Sequence, residues 1–367
     1  MPERHGSQWL MKIAQVVILL LIVIAAAASF LPMIETDAWW IRYLDFVRLQ
    51  AGIALLILLV LCLVSGGWRS RGGLMVAALG LAALGYHAYR LSPYRSGADA
   101  MALAVESCPA GSRLSVMVAN VLRGNEQSEP LFTIIEDVEP DLVLLLETDA
   151  WWDEALQDLH GQFPYQVRHI PEHAAYYGMH LLSRHPLLDP EVRFLVGAEI
   201  PTIVTGVALP DGQGAQFIGL HPRPPLPWNQ PTTLRDAHLL MAAMEARASD
   251  RPTILAGDFN AVPWERVTRR AMRIGGLLDP RVGRGLHPTF SADSWPMAWP
   301  IDHVLYQDSF GLAAWEVLPA FGSDHYPIRA DLCLLPDLAQ RQSAPPLREG
   351  DLEDAEATVR AAQEMRP

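Results

Sequence analysis

The 367 residues suffice for one large domain with additions, and half of them are hydrophobic, which is unusual for a purely soluble protein. Eight Lys or Arg against five Asp or Glu give residues 1–105 a net charge of +3, so of the whole-chain −13 the remainder carries −16. Nucleic-acid affinity comes largely from basic side chains neutralising phosphates, so tight, processive binding to a nucleic acid is disfavoured.

The apolar excess is concentrated at the N-terminus. Ile13 to Ile34 carries no charge, and further uncharged runs lie between Arg48 and Arg69 and between Arg71 and Arg90. A helix needs roughly 20 apolar residues to cross the hydrocarbon core. Helices at about 13–34, 49–68 and 72–89 are therefore predicted to form a membrane anchor over residues 1–95. The first run is longer than a signal-peptide core and two more follow it, which favours a retained anchor. Arg69 and Arg71, with no acid between them, mark the second loop as cytoplasmic, while the first loop sets Glu35, Asp37 and Asp45 against Arg42 and Arg48. Three spans then place the rest of the chain outside the cytoplasm. His87 is the ionisable side chain within the spans apart from Cys62 and the tyrosines, which leaves little for a transport pathway.

Residues 96–112 read as a linker and 113–336 as the soluble domain. Within it RLSVMVANVL is a strand ending at Asn120, PLFTIIEDVEP an amphipathic helix, and DLVLLLET a buried strand ending at Glu147. GMHLLSRHP, TIVTGVAL and AQFIGLHP are further strands, and TTLRDAHLLMAAMEARA is a helix. PTILAGDFN is a strand, WERVTRRAMRIGG a Gly-capped helix, and PIDHVLY and HYPIRADLCLL the late strands. This alternation predicts a two-layer α/β sandwich flanked by helices. Residues 337–367, charged and Pro-rich at the start, read as a largely disordered tail with room for a short helix. The hexapeptide ETDAWW occurs at Glu35–Trp40 and again at Glu147–Trp152, with no longer repeat around either copy.

Polar residues end one apolar run after another: Asn120, Glu147, His221, Asp258 with Asn260, Asp302, and Asp324 with His325. Strand alternation predicts that Asp258 and Asn260 share a face. Any one of these could cap a turn. Collected at one rim, the carboxylates would repel unless a cation sat among them, and oxygen donors without a Cys cluster suit Mg²⁺ or Mn²⁺. Cys108 and Cys333 lie near the two ends of the soluble part, either as a disulfide pair or as two unrelated thiols.

NVLRGN, LLLETD, GLHPRP, GDFNAVP, PIDHVL and GSDHYPI, in this order, resemble the motifs of the endonuclease/exonuclease/phosphatase superfamily, over roughly Leu114 to Leu335. Three spans before such a domain further resemble bacterial membrane phosphohydrolases of the teicoplanin-resistance type. The resemblance implies a deoxyribonuclease-like fold and hydrolysis of a phosphoester by in-line attack of water. It implies Glu147 as principal metal ligand, with Asn120 beside it and Asp324 as a further carboxylate of the metal site. Asp258 would orient the attacking water, Asn260 would hold a phosphate oxygen, and His325, oriented by Asp302, would face the scissile phosphate with His221 as a second such histidine. It also implies that first and last strands pair in one sheet, which would bring Cys108 and Cys333 together. Some members carry an acid where this chain has Leu122, so one tight ion is favoured over two; His303 reads as packing, and Tyr176 and Tyr177 are both candidates for the tyrosine before the SR motif. The expected partner is a phosphorylated substrate, with a membrane lipid favoured over nucleic acid. Trp228, Trp264, Trp295 and Trp299 offer themselves either as interfacial residues or as packing within their loops; a membrane-tethered endonuclease or exonuclease is the alternative function, and a non-catalytic receptor comes after it.

Overall fold

The computed structural model describes residues 3–172, 177–224, 230–294 and 296–365. It divides into two units, Met1–Pro93 and Tyr94–Pro367.

The first unit contains α1 (Glu3–Phe30), α2 (Trp39–Arg42), α3 (Arg48–Ser65) and α4 (Arg71–Leu91). Three candidate spans, Gln8–Met33, Arg48–Ser65 and Arg71–Tyr94, are long and apolar enough to cross a membrane. Gly66, in the left-handed region, ends α3, and the Ser70 hydroxyl caps α4 by accepting from the Gly73 amide. Small residues let the three long helices approach: Ala26 and Ala83 are buried around Leu55, and a side chain at Gly80 would press on Ile22 and Leu59. His87 packs inward, with Nε2 2.8 Å from the Ser29 hydroxyl. Its role here is to join α4 to α1. Both copies of ETDAWW lead into a short helix, α2 for the first and Ala150–Ala155 for the second.

The second unit is built on two six-stranded sheets. One runs β11 (Phe310–Val317), β12 (Ile328–Leu334), β1 (Arg113–Asn120), β2 (Leu142–Leu146), β4 (Met179–Ser183), β3 (Tyr165–His169). The other runs β5 (Leu187–Arg193), β6 (Thr202–Ala208), β7 (Gly214–Leu220), β8 (Thr253–Asp258), β10 (Asp302–Gln307), β9 (Leu277–Leu278). Their inner faces share one core that includes Val116, Leu144, Phe217, Ile254 and Val304. Helices α5 (Ser128–Val138) and α6 (Ala150–Ala155) cover the outside of the first sheet through Leu131, Ile135 and Trp152. Helices α7 (Thr233–Ala248) and α8 (Arg266–Gly275) cover the second through Leu239, Ala243, Val267 and Ala271. This is the expected helix-flanked sandwich. The parallel pairs β1–β2 and β7–β8 bring their C-terminal ends to the same region, and those ends carry Asn120, Glu147, His221 and Asp258.

Two domain expectations are corrected. The stretch 96–112 is no free linker: Val105 N–H donates to Leu312 O, Leu312 N–H to Leu103 O (both 2.9 Å), and Ala102 is buried in the core. Cys108 is disulfide-bonded to Cys333, with Cα atoms 5.3 Å apart. Nor is the tail disordered. Helix α9 (Asp351–Glu364) packs against α7 and α8 through Ala355, Val359 and Ala362. Arg273 fastens its first turn, donating from Nε and Nη2 to the two Asp351 carboxylate oxygens at 2.6 Å each. Charge misled the reading, because here the acids serve as anchors. Of the two readings of the loop tryptophans, packing and not an interfacial role holds where the structure describes them. Trp264 and Trp299 are buried, Trp264 edge-on to Tyr94, while Trp228 and Trp295 lie outside the described residues.

Candidate active site

Glu147 follows β2 directly and takes the left-handed conformation at φ +62°, which turns its carboxylate back over the strand end. Oε1 accepts from Asn120 Nδ2 at 3.0 Å and Oε2 from the Arg123 amide at 3.1 Å. Asn120, the last residue of β1, is itself oriented: its Oδ1 accepts from the Leu122 amide, and its carbonyl accepts from the Ser323 hydroxyl at 2.7 Å.

Strand β8 ends at Asp258, so alternation does not aim Asn260. The chain curls instead, with Asn260 at φ +49° and its amide donating to Asp258 Oδ1 at 2.9 Å, an Asx-turn. Asn260 Nδ2 donates to Pro222 O, and Arg235 from α7 donates to Asn260 O at 2.9 Å. The two residues stay together for this reason. Asp302 is the cross-strand partner of Asp258, and its Oδ2 lies 2.9 Å from His325 Nδ1.

The far side of each imidazole faces the acids. His325 Nε2 is 3.7 Å from Asp258 Oδ2, and His221 Nε2 is 3.5 Å from the same oxygen and 3.9 Å from Glu147 Oε1. Asp258, Asp302 and His325 are all buried and place ligand-type atoms within 4.8 Å of one another. Burial opposes a charge on His325, but the charge and hydrogen bond of Asp302, then Asp258 and Asp324, outweigh it and raise the imidazole to about 10. Burial likewise opposes a charge on His221; Asp258, then Glu147, raise it. Asp258 is held low, because His221 and His325 overcome its burial, whereas Asp324 is raised by burial and by the nearby charges of Glu147 and Asp258.

All eight residues singled out from the sequence are thus within one neighbourhood. Glu147, Asn120, Asp258, Asn260, Asp302, His221 and His325 are linked by the distances above, and Asp324 enters through its charge. Sequence reasoning missed their supports. Ser323 holds Asn120 and also accepts from the His325 amide, Thr289 accepts from the Asp302 amide, and buried Arg281 donates to the Asp302 carbonyl. Ser323 stood inside the GSDHYPI motif, whereas nothing local marked Thr289 or Arg281. His303 is a packing residue: buried, stacked on Phe259 and hydrogen-bonded to Ala261 O. Tyr177 lies edge-on to His221, with ring centroids 6.0 Å apart; Tyr176 lies outside the described residues.

The donor set fits a hard dication. Four carboxyl groups, those of Glu147, Asp258, Asp302 and Asp324, gather around two imidazoles, and oxygen donors of this kind suit Mg²⁺ or Mn²⁺. One buried oxygen, Asp302 Oδ1, has no hydrogen-bond partner among the described residues.

The endonuclease/exonuclease/phosphatase family matches residues 117–325, more than half of the chain, from β1 to His325. The chain belongs to this family. Among solved structures, a humanized D. rerio TDP2 with 14 mutations is similar at 16% identity over 60% of this chain and 99% of that one, with TM-score 0.51. An endonuclease/exonuclease/phosphatase from Beutenbergia cavernae DSM 12333 is similar at 20% identity over 61% and 72%, with TM-score 0.50. D. rerio TDP2 complexed with a single-strand DNA product matches at 16% identity over 60% and 99%, with TM-score 0.50. These likenesses establish the fold. Comparison with curated proteins gives no match. Members of the family are divalent-metal-dependent hydrolases, nucleases and phosphatases among them, and the acidic site fits that chemistry.

Proposed function

We propose that the protein is a membrane-anchored phosphoester hydrolase of this family, acting outside the cytoplasm on a lipid-linked phosphate or phosphodiester. The hydrolytic part is carried by one observation: His325 is clamped by Asp302 through Nδ1 and presents Nε2 to the acidic centre. Glu147 and Asn120, with Asp324, would hold Mg²⁺ or Mn²⁺. When bound, the ion would neutralise phosphoryl oxygens and ease departure of the leaving oxygen. Asp258, held ionised, orients the attacking water and takes up its proton. Asn260 and the charged His221 bind phosphoryl oxygens. His325, held as a cation by Asp302, stabilises the negative charge that grows there and is the proton source for the leaving group.

The lipid part rests on architecture, as in the membrane phosphohydrolases of the teicoplanin-resistance type. Three apolar helices precede the domain, and the domain is too acidic to favour a polynucleotide. The Cys108–Cys333 disulfide supports an oxidising compartment. The test is a substrate panel with the detergent-purified full chain and Mg²⁺ or Mn²⁺: polyprenyl pyrophosphate, phospholipids, inositol phosphates and DNA. Turnover of a lipid substrate is expected. DNA as the only substrate cleaved would overturn the lipid assignment, and no metal-dependent cleavage at all would overturn the hydrolase.

A further inference from the structure

Thr148, the residue after Glu147, is completely buried, and its hydroxyl lies 2.9 Å from Nδ1 of His180. The other ring nitrogen, Nε2, lies 3.0 Å from Asp153 Oδ1, and Arg168 pairs with the same carboxylate. His180 sits on β4, opposite Leu145 of β2 and Arg168 of β3, so its backbone is fixed on both sides. Burial lowers the imidazole from its ordinary value, against the pull of Asp153, and so favours the neutral ring. A neutral ring carries one N–H, and a carboxylate can only accept. The proton is therefore on Nε2, and Thr148 donates to Nδ1.

Hydroxyl, imidazole and carboxylate in this order look like the relay of a nucleophile. They are not one here, because the hydroxyl is sealed from solvent and any substrate. What the three groups do is mechanical. Thr148 begins the turn after Glu147, Asp149 caps α6 by accepting from the Trp152 amide at 3.0 Å, and Asp153 lies in the first turn of α6. One imidazole thus ties both ends of the short segment that follows Glu147. Thr148 is pinned a second time, its amide donating to Gly178 O, with the Thr148 carbonyl so close to Gly178 that no Cβ fits there. Such fixing is needed, since a left-handed backbone at a residue other than glycine costs on the order of 1 kcal/mol and persists only where its surroundings enforce it.

We infer that His180 is a positioning residue: by bracing the turn from Thr148 to Asp153 it holds Glu147 in its left-handed conformation and sets the carboxylate where the cation binds. This rests on the metal role of Glu147 proposed above. Partners that orient a ligand typically matter by roughly 10–100-fold in metal affinity.

The experiment uses the full chain in detergent and three variants. Thr148→Val keeps the shape but removes the hydroxyl, Thr148→Ser keeps the hydroxyl, and His180→Gln keeps one acceptor and one donor. Backbone hydrogen exchange over 147–156 is measured without metal, and Mn²⁺ is then titrated, with denaturation midpoints recorded for each. Faster exchange in this segment and an affinity loss of roughly tenfold are expected for Thr148→Val, with Thr148→Ser near the parent and His180→Gln between. Unchanged exchange in Thr148→Val and His180→Gln would refute the brace, and faster exchange with parent-like Mn²⁺ affinity would refute its effect on Glu147. Should Thr148→Val not fold, His180→Gln decides by the same two readouts. A Glu147→Gln variant that binds Mn²⁺ like the parent would sink the metal assignment instead, a failure that the metal-free exchange distinguishes from failure of the brace.

Discussion

Glu147 follows β2 directly and His325 lies in the loop before β12, and the proposed mechanism gives them different work. Glu147→Gln preserves size and replaces an anionic ligand with a neutral amide, so Mn²⁺ binding is expected to weaken strongly, with partial rescue of phosphate release at high metal. His325→Ala leaves the oxygen donors untouched. It should bind Mn²⁺ nearly as the parent does and lose roughly 10²–10⁴-fold in turnover at any metal concentration. Parallel metal titration and phosphate release separate the two. At this scale the sequence was informative for Asn120, Glu147, His221 and Asp258, which end or directly follow buried strands, whereas Asp302 opens β10 and Asp324 and His325 lie in the loop before β12, not at the end of an apolar strand. The residues that hold them could not be read locally. Thr289 and Ser323 reach the site from loops, and Arg281 reaches Asp302 across 21 positions of sequence. Asn260 was placed correctly by the wrong device, an Asx-turn in place of strand alternation.

Among elements, the central strands were legible and the edges were not. β1, β2, β4 and β8 are buried along nearly their whole length, which writes a continuous apolar run into the sequence. β3 reads YQVRH and is half exposed; β5 contains Pro190 and a register shift; β11 contains a register shift near Leu312. β3 and β5 lack the continuous apolar run by which their partners were found, and β11 is buried only over its first three residues. Gly257 shows how tightly the central strands meet: at φ +144° its Cα faces the Leu220 carbonyl with no room for a Cβ. Gly257→Ala should part β7 from β8 and lower stability on the order of 2–4 kcal/mol, read as a fall in denaturation midpoint. Helix α9 has its own test. Burial would raise Asp351, but the Arg273 hydrogen bonds, the Arg348 amide and the charges of Arg273 and Arg270 outweigh it and lower the carboxyl from 3.8 to about 2. A depressed carboxyl stabilises above its unfolded value and loses that contribution as pH falls through the folded one. Asp351→Asn is therefore expected to cost about 2 kcal/mol at neutral pH, and its difference from the parent should shrink between about pH 4 and pH 2. A constant difference across that window would count against the ion pair as the anchor.

On the scale of the whole molecule, compartment and cross-link belong together. On the proposed topology, in which Arg69 and Arg71 keep the second loop inside, a reporter active only in the cytoplasm and fused at the C-terminus should stay silent. In membranes isolated without reductant, Cys108 and Cys333 should resist thiol alkylation. Replacing both with Ser should destabilise by up to about 5 kcal/mol, since the bond closes a separation of 225 residues. A strong cytoplasmic signal would overturn the topology and remove the oxidising surroundings that the disulfide needs.

The pairing of β1 with β12 bears on the order in which the chain is made. β1 lies third of six in its sheet, yet one of its two neighbours is the last strand of the chain. Until Ile328–Leu334 leaves the ribosome, β1 has one open side and Cys108 has no partner, so the sheet cannot close while synthesis is under way. A chain released just before Ile328 would keep every motif residue from Asn120 to His325 and still display an unpaired central edge. Such fragments are expected to aggregate or be degraded despite carrying every residue of the candidate site.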